Sequence, residues 1–220
     1  MIARAPLHAD HSQPGAGIGR HFHHVSQEIT AMALSAIDIA SRSLMRLGAA
    51  SINGFDDGSS EAELAGALYG TARDALLSAH PWSFATIQAQ LSMLVDAPVA
   101  DYAHAYQLPV DFLRALSAGP AGRGRGIRYR IIGQQLHSDA DSVTLTYIYR
   151  PDEAAIPPFF DQALIARLAG ELCIPITENS SRADLMFRLA EDEFRRAKSI
   201  DAQQDTPPRF EDYTLIEARR

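Results

Sequence analysis

The stretch Leu44–Phe84, LMRLGAASINGFDDGSSEAELAGALYGTARDALLSAHPWSF, contains the end of one helix, a polar loop and a complete second helix. The first helix is expected to end at Leu47, because Gly48 readily takes the left-handed conformation that closes a helix. Turn-forming residues fill positions 53–58 and predict a loop there. The stretch therefore predicts a helix end, a polar loop, a long helix and a Pro-Trp stop that leads into a strand.

The second helix is predicted over residues 60–79. Ser60 and Glu63 have the spacing of a capping box, in which each side chain binds a backbone N–H of the first turn. Pro81 has no N–H and disfavours helix in the preceding residue, so the helix should end near His80. The apolar positions at helical spacing are Leu64, Leu68, Ala72, Ala75 and Ala79, with Leu76 widening the stripe.

An aromatic corner follows the second helix. Trp82 and Phe84 come directly after Pro81 and indicate a buried junction between helix and strand. Together with Tyr69 these residues form our predicted structural junction. Gly66 and Gly70 lie four apart in the helix, where each costs roughly 1 kcal/mol relative to alanine. They indicate close packing, either inside one subunit, which we favour, or across a subunit contact.

Composition limits the function classes. The chain has 220 residues, 46% of them hydrophobic, and a net charge of -7. One domain with tails is the natural organisation, and its core needs no disulfide or metal. The single cysteine, Cys173, cannot form an intrachain disulfide, which fits synthesis in a cytosol. Apolar runs are far shorter than the ~20 residues of a membrane span, so no membrane partner is expected. Mild acidity argues against a sequence-reading DNA binder.

The first 31 residues are rich in His, Gly and Pro and are predicted to be disordered or loosely attached. A metal site there is the weaker alternative, since neither a Cys nor an acidic cluster fixes a coordination geometry. The histidines concerned are His8, His11, His21, His23 and His24.

Four helices and one inserted sheet region are predicted, which makes the fold class α+β. The helices span 35–47, 60–79, 158–174 and 181–202, and the sheet region spans 84–150. Ser35 with Asp38 and Ser181 with Asp184 can cap the first and last helices. Pro157–Pro158 suits the first turn of the third helix, and Pro175 should end or kink it.

The sheet region is predicted from alternation and from turn residues. Its firmest element is an antiparallel hairpin of residues 127–132 with 143–149 around a turn at 138–142. Asp139 and Asp141 in that turn lack the other residues of a calcium loop. The remaining predictions are a strand at 84–94, a loop at 96–104, an extended segment at 106–109, a helical turn at 110–113 and a short strand at 114–117.

A flexible loop at 118–126, AGPAGRGRG, begins the only basic cluster of this acidic chain. Arg123 and Arg125 lie in the loop, and Arg128 and Arg130 in the strand beyond it. The cluster can contact phosphates of DNA or an acidic rim of a partner. The alternative is a solvated loop beside a polar strand face. No phosphate-binding glycine motif surrounds it.

The C-terminal tail, residues 203–220, follows the last helix after Thr206-Pro207-Pro208. It carries four large apolar side chains without helical or strict strand periodicity, and such groups seldom stay uncovered. The tail therefore either packs on its own domain or docks on a partner. The residues concerned are Phe210, Tyr213, Leu215 and Ile216, followed by Arg219 and Arg220.

Chemistry-bearing motifs are missing from the sequence. It has no nucleophile elbow, no HExxH, no CxxC and no glycine-rich nucleotide loop. His80 is expected to be a junction residue and Cys173 a buried small hydrophobe. We therefore expect no catalytic residue, no cofactor site and no metal site, and we do not expect an enzyme.

Three further stretches complete a pattern of family motifs. The run LGAASINGFDDGSSEAELAGALYGTARDALLSAHPWSFA (47–85) is followed by YQLPVDFLRAL (106–116), VTLTYIYRPDE (143–153) and a C-terminal helix pair. In order and spacing they resemble the head-to-tail adaptor proteins of tailed bacteriophages, including the tail tubular protein A group and adaptors of gene transfer agents. The resemblance covers residues 32–220, and no single motif in it is a chemical signature.

The resemblance implies a structural virion protein at the head-to-tail junction, made in the host bacterial cytoplasm. Copies would form a ring, of about twelve subunits in this family, between the portal and the tail nozzle or stopper. Double-stranded DNA would pass through it without sequence-specific contacts. The tail 203–220 would dock on the portal, and the sheet and basic loop would face the channel or the next tail component. The alternative is a small helical binding protein that does not form rings; an enzyme is a distant third.

Overall fold

The structure is a computed structural model that describes residues 33–204. Helix α1 (Ala36–Arg46) begins after Ser35, whose Oγ accepts a hydrogen bond from the N–H of Asp38 at 3.1 Å. The Asp38 carboxylate accepts one from the N–H of Ser35 at 3.0 Å, which confirms the predicted capping box. Gly48 follows the helix with a positive φ of 76°, as its sequence position predicts.

Helix α2 (Ser60–Ala79) has the predicted bounds, but its predicted cap is wrong. The capping residue is Ser59, whose Oγ accepts a hydrogen bond from the N–H of Ala62 at 3.2 Å. Asp57 accepts hydrogen bonds from both the N–H and the Oγ of Ser59. Of two adjacent serines, the one that Asp57 orients becomes the cap, and no Ser60–Glu63 capping box forms.

The buried face of α2 also differs from the predicted stripe. Ala75 and Ala79 are exposed, and Leu64 and Leu68 are only partly buried. The stripe is rotated because α2 packs mainly against a later helix, whose position the α2 sequence does not contain. The buried residues of α2 are Ala62, Ala65, Tyr69, Ala72, Leu76 and Leu77.

Helix α3 (Pro158–Thr177) begins at the predicted prolines, with Pro157 as its N-cap. The prediction that it ends at residue 174 is wrong, because the helix continues through Pro175 to Thr177 and closes at Glu178 with φ 52°. A proline in the last turn removes one backbone hydrogen bond, and this loss does not break the helix.

Helix α4 (Ser180–Asp201) follows after a link of two residues. Its cap is Asn179, whose Oδ1 accepts a hydrogen bond from the N–H of Arg182 at 2.9 Å, and not the predicted Ser181 with Asp184. Asn is as strong an N-cap as Ser, and the left-handed turn at Glu178 places it at the helix start.

Along the chain, α2 is followed by six strands that form two antiparallel three-stranded sheets, and α3 comes after them. The α+β prediction is therefore confirmed. The first sheet has the order β1-β6-β3 and the second β2-β5-β4. The strands are β1 (Thr86–Gln90), β2 (His104–Gln107), β3 (Phe112–Gly119), β4 (Arg130–Ile132), β5 (Gln135–Ser138) and β6 (Thr144–Tyr149).

The predicted hairpin of 127–132 with 143–149 is wrong. β4 pairs with β5 across the two-residue turn Gly133–Gln134, where Gly133 has φ 59°. A glycine that supplies positive φ in such a turn brings the strands on either side of it together. The predicted turn at 138–142 exists, but it connects the two sheets, and β6 pairs with β1 and β3.

Three smaller sheet predictions also need correction. Residues 83–85 form a short 3-10 turn, so the strand predicted at 84–94 is confined to β1. The helical turn predicted at 110–113 is a tight turn in which the N–H of Phe112 donates to the carbonyl of Pro109. β3 then runs to Gly119, which lengthens the strand predicted at 114–117 and shortens the predicted loop.

Helix α3 is the centre of the helical layer, because α1, α2 and α4 all pack against it. Leu164, Leu168 and Leu172 on α3 are fully buried in the core. A second core, which includes Leu136 and Leu145, lies between the two sheets. Among residues 33–204, no helix is both long enough and apolar enough to span a bilayer.

The two predicted close-packing glycines have different environments. A Cβ on Gly66 would lie 3.3 Å from the Cβ of Phe55, so Gly66 packs against a loop of the same chain. A Cβ on Gly70 would meet nothing within 4 Å. Packing inside the subunit therefore accounts for Gly66 and not for Gly70.

Candidate interaction surfaces

The basic loop, defined as residues 120–129, is tied to the first sheet. The carbonyl oxygen of Gly124 accepts hydrogen bonds from the Oγ of Ser117 on β3 at 2.7 Å and from the Oγ1 of Thr146 on β6 at 3.3 Å. At the far end of the loop, the Ser138 Oγ on β5 donates to the carbonyl of Arg128 at 2.9 Å. The loop predicted to be flexible, residues 118–126, is thus anchored at Gly124. Arg128, which was predicted to lie in a strand, is anchored in the segment beyond it.

Glycines allow this loop to lie directly on the sheet. A Cβ added at Gly119 would be 2.0 Å from the carbonyl oxygen of Arg123 and 2.4 Å from the backbone nitrogen of Arg125. A Cβ on Gly124 would be 2.5 Å from side-chain atoms of both Gln88 and Thr146. At Gly119 the clashing atoms are backbone and cannot rotate away, so only glycine fits there, whereas at Gly124 the side chains of Gln88 and Thr146 would have to shift.

The four predicted arginines occupy this loop and the strand next to it. Arg123, Arg125 and Arg128 are exposed, and among residues 33–204 none has a carboxylate within 4 Å. Arg130, the only one in a strand, lies 3.8 Å from the carboxylate of Asp101. An open cavity of about 540 Å³ lies against residues 123–126. Exposed guanidinium groups on an anchored backbone can bind phosphates or carboxylates.

The aromatic junction is a packed cluster. Trp82 is fully buried, and its Nε1 donates to the carbonyl of Leu76 at 3.1 Å. Its ring makes edge-to-face contacts with Phe160 and Phe194, with centroids 5.2 and 5.7 Å away, and a tilted contact with Phe84. Among the predicted junction residues, Trp82 and Phe84 come together, and Pro81 is exposed beside them.

Tyr69 belongs to a separate polar network, which joins α2 to the end of the first sheet. Its hydroxyl donates to Glu153 at 3.3 Å, and burial raises its pKa well above the usual range. Arg150 donates to both carboxylate oxygens of Asp74. Burial raises the pKa of Asp74, but hydrogen bonds from Arg150 and Arg73 outweigh that effect and hold it below its usual value. This network fixes the helical layer to β6.

His80 lies next to a buried carboxylate without forming a catalytic arrangement. The His80 Nε2 is 3.8 Å from Oδ2 of Asp201, and the His80 ring contacts Trp82 edge-to-face. Burial lowers the pKa of His80, with Asp201 acting in the opposite direction. The Ser83 Oγ donates to Asp201 at 2.5 Å and not to the imidazole. The hydroxyl is therefore not activated as a nucleophile by His80.

Asp161 is a buried acid that the sequence reading missed. It lies in the first turn of α3 with 4% of its surface exposed, and its Oδ1 has no hydrogen-bond partner among the described residues. Burial raises its pKa to about 6, which the nearby Arg42 partly opposes. Acidic residues are common in the first turn of a helix because the helix dipole stabilises them there. The sequence position of Asp161 therefore gave no sign that its carboxyl group is buried.

An apolar surface groove that the sequence did not predict lies between α2 and α4, and we call it the α2–α4 groove. It is lined by Ala75, Leu76 and Ala79 of α2, by Arg167 of α3, and by Phe187, Ala190, Glu191 and Phe194 of α4, and has a volume of about 160 Å³. The two exposed alanines of the predicted α2 stripe belong to this groove.

The remaining residues that the sequence singled out are Cys173, the N-terminal histidines and the C-terminal tail. Cys173 is fully buried, 3.5 Å from the Oγ1 of Thr177. Among residues 33–204, no group of three or more His, Cys, Asp or Glu side chains is placed to hold a metal ion. The N-terminal histidines and the C-terminal tail residues Phe210, Tyr213, Leu215, Ile216, Arg219 and Arg220 lie outside the described residues.

Comparisons with protein-family models and with curated proteins found no match to this chain.

Proposed function

We propose that the chain is a head-to-tail adaptor of a tailed bacteriophage or gene transfer agent. In this role, copies form a ring between the portal and the tail nozzle or stopper and extend the DNA channel. The observation that carries the proposal is the basic loop: three exposed arginines on a glycine-anchored loop, in a chain of net charge -7. The order of motifs along residues 32–220 supplies the adaptor assignment.

The charge distribution suits a channel that DNA passes through. Phosphate contacts supply affinity that does not depend on sequence and that weakens steeply as salt rises. An acidic body repels the duplex, while a few fixed arginines centre it without holding it. Neither repelling the duplex nor centring it in the channel needs a catalytic group.

The polar network fits a mechanical role. Arg150 and Asp74 fix α2 to β6, and Arg114 of β3 donates to the carbonyl of Ser78 at the end of α2 at 2.7 Å. The helical layer and the first sheet are therefore linked at several points. A ring subunit under the pressure of packaged DNA would need such links, because forces on the sheet must reach the ring wall.

The test is negative-stain electron microscopy of the full chain, alone and mixed with portal from the same genome. We expect rings of about twelve copies stacked on the portal. Portal from an unrelated phage is the control and should remain undecorated. If neither rings nor portal binding are seen, the adaptor assignment is wrong.

The α2–α4 groove favours a second candidate, a helical binding protein that acts without ring assembly. Its groove would then be the functional site. Solution mass and portal binding separate the two candidates. A chain that stays monomeric with portal and binds an apolar peptide through this groove would support the second candidate.

A further inference from the structure

The α2–α4 groove has an open apolar floor because its two walls do not close over it. Both α2 and α4 pack extensively against α3 but make little contact with each other. On the α2 side the groove is open, because Ala75 and Ala79 have only a Cβ methyl group as side chain. On the α4 wall, the Phe187 ring lies 3.0 Å from where a Cβ on Gly170 would be, so this ring is drawn down onto α3.

The groove has the size and character of a site for one aromatic or branched aliphatic side chain. Its volume of about 160 Å³ is similar to that of an engineered apolar cavity of ~150 Å³ that binds benzene. Charged groups stand at its edges: Arg167 is paired with Glu171 at 2.6 Å, and the Lys198 Nζ lies 4.8 Å from the centre of the Phe194 ring.

The chain leaves the described fold at the end of this groove. Ser83, just after α2, hydrogen-bonds Asp201 at the end of α4, so both helices end on the same side of the molecule. Phe194 lies seven residues before Asp201, about 10 Å away along the helix. Sixteen residues, 205–220, follow the described part of the chain.

This C-terminal tail has both the reach and the chemistry for the groove. The six residues from 205 to Phe210 span up to about 20 Å when extended, more than the distance back to Phe194. Phe210 is the first large apolar residue of the tail, and Glu211 and Asp212 follow it. These acids suit the ammonium group of Lys198 at the groove edge.

We propose that the C-terminal tail of the free chain docks in the α2–α4 groove of the same chain, with Phe210 as the side chain that fills it. A segment tethered this closely has an effective concentration in the millimolar range, so even a modest contact keeps it docked. The inference goes beyond the adaptor function and does not depend on it, because it concerns the chain without a partner. In an adaptor, a portal would have to displace the tail from the groove.

The test is cysteine cross-linking in the full chain with a short bismaleimide. The variant Ala75→Cys/Glu211→Cys keeps Phe210 and places one thiol at the groove and one beside the docked ring. We expect a cross-link within one chain, identified by peptide mass spectrometry. Adding Phe210→Ala should lower its yield about tenfold or more, because burial of a phenyl ring exceeds one tenfold step in affinity.

Met45→Cys/Glu211→Cys is the matched control. Met45 is also exposed but lies beside Arg46, whose carbonyl accepts a hydrogen bond from Arg182 at the opposite end of α4. That end is about 18 Å along the helix from Phe194, so a tail whose Phe210 fills the groove keeps residue 211 beside Ala75 and away from Met45. The proposal would be overturned if the control pair cross-linked as well as the groove pair, or if Phe210→Ala left the yield of the groove pair unchanged.

A cross-link between two chains would also overturn it, since the groove would then hold the tail of a second copy. Portal binding without an intramolecular cross-link would leave the adaptor function standing and remove this inference. An intramolecular cross-link in a chain that binds no portal would support tail docking and contradict the adaptor function.

Discussion

At the scale of single residues, Asp161 has an unfavourable environment, because its carboxyl group is buried without full hydrogen bonding among the described residues. Its carboxylate is almost fully buried, with one oxygen lacking a partner among the described residues, and its pKa rises from 3.8 to about 6 because of burial. The folded state therefore holds this proton more tightly than the unfolded state. The stabilising contribution is complete below pH 3.8 and is lost as the pH rises through 6.

Asp161→Asn should remove this pH dependence. The difference between 3.8 and about 6 corresponds to at most about 3 kcal/mol of unfolding free energy. Urea unfolding of both proteins between pH 4 and pH 7.5 measures it. We expect the variant to gain stability relative to the wild type as the pH rises, with the change complete just above pH 6.

The exposed Asp184 on α4 supplies the control. Asp184→Asn removes the same charge from an exposed position, so it controls for the change in net charge. If the Asp161→Asn and wild-type profiles were parallel from pH 4 to pH 7.5, Asp161 would titrate normally and would not be a buried ionisable group.

At the scale of elements, two glycines with opposite surroundings predict opposite effects of the same substitution. Gly70→Ala adds a methyl group in open space inside α2, so it should raise the free energy of unfolding by roughly 0.4–1 kcal/mol. Gly119→Ala places a Cβ against backbone atoms of the basic loop, which cannot rotate away. It should lower the free energy of unfolding by about 1–3 kcal/mol.

Urea denaturation of the two single variants measures both effects. Hydrogen exchange should show faster exchange in residues 120–129 of Gly119→Ala and no change there in Gly70→Ala. Equal stability of Gly119→Ala and the wild type would mean that the basic loop does not rest on β3 at that point.

The elements also show how far local sequence signals reach. Capping, proline and glycine signals predicted the four helices, because these interactions join residues three or four apart. The cap of α2 was misplaced by one residue, since Asp57 decides between two serines. Helix periodicity included Ala75 and Ala79 in the buried face of α2, and both are exposed because the position of α3 sets that face.

Strand partners were less predictable than strands. Alternation correctly marked β6 and β4 as strands, but a period of two carries no information on which strand pairs with which. The turn at Gly133–Gln134 was the missed signal for the β4–β5 hairpin. For the candidate surfaces, the sequence identified the arginines of the basic loop. It could not predict their anchoring on Ser117 and Thr146 or the α2–α4 groove, which depend on long-range packing.

At the scale of the whole molecule, the acidic body and the basic loop have opposing effects on a passing duplex. The net charge of -7 repels the DNA phosphates. Arg123, Arg125 and Arg128 attract the phosphates locally. Three phosphate contacts would give a slope of about -2.7 in log affinity against log salt. The full chain should therefore bind duplex DNA only at low salt, without sequence preference.

Replacing these three arginines with glutamine should abolish this binding and remove the salt-dependent term, as measured by fluorescence anisotropy over a salt series. The matched control replaces Arg188, Arg195 and Arg196 on the exposed face of α4, which removes the same charge elsewhere. If the two triple variants lost DNA binding equally, net charge and not the basic loop would govern contact with DNA. Loss confined to the first variant would assign the phosphate contacts to the loop, because the total charge of both variants is identical.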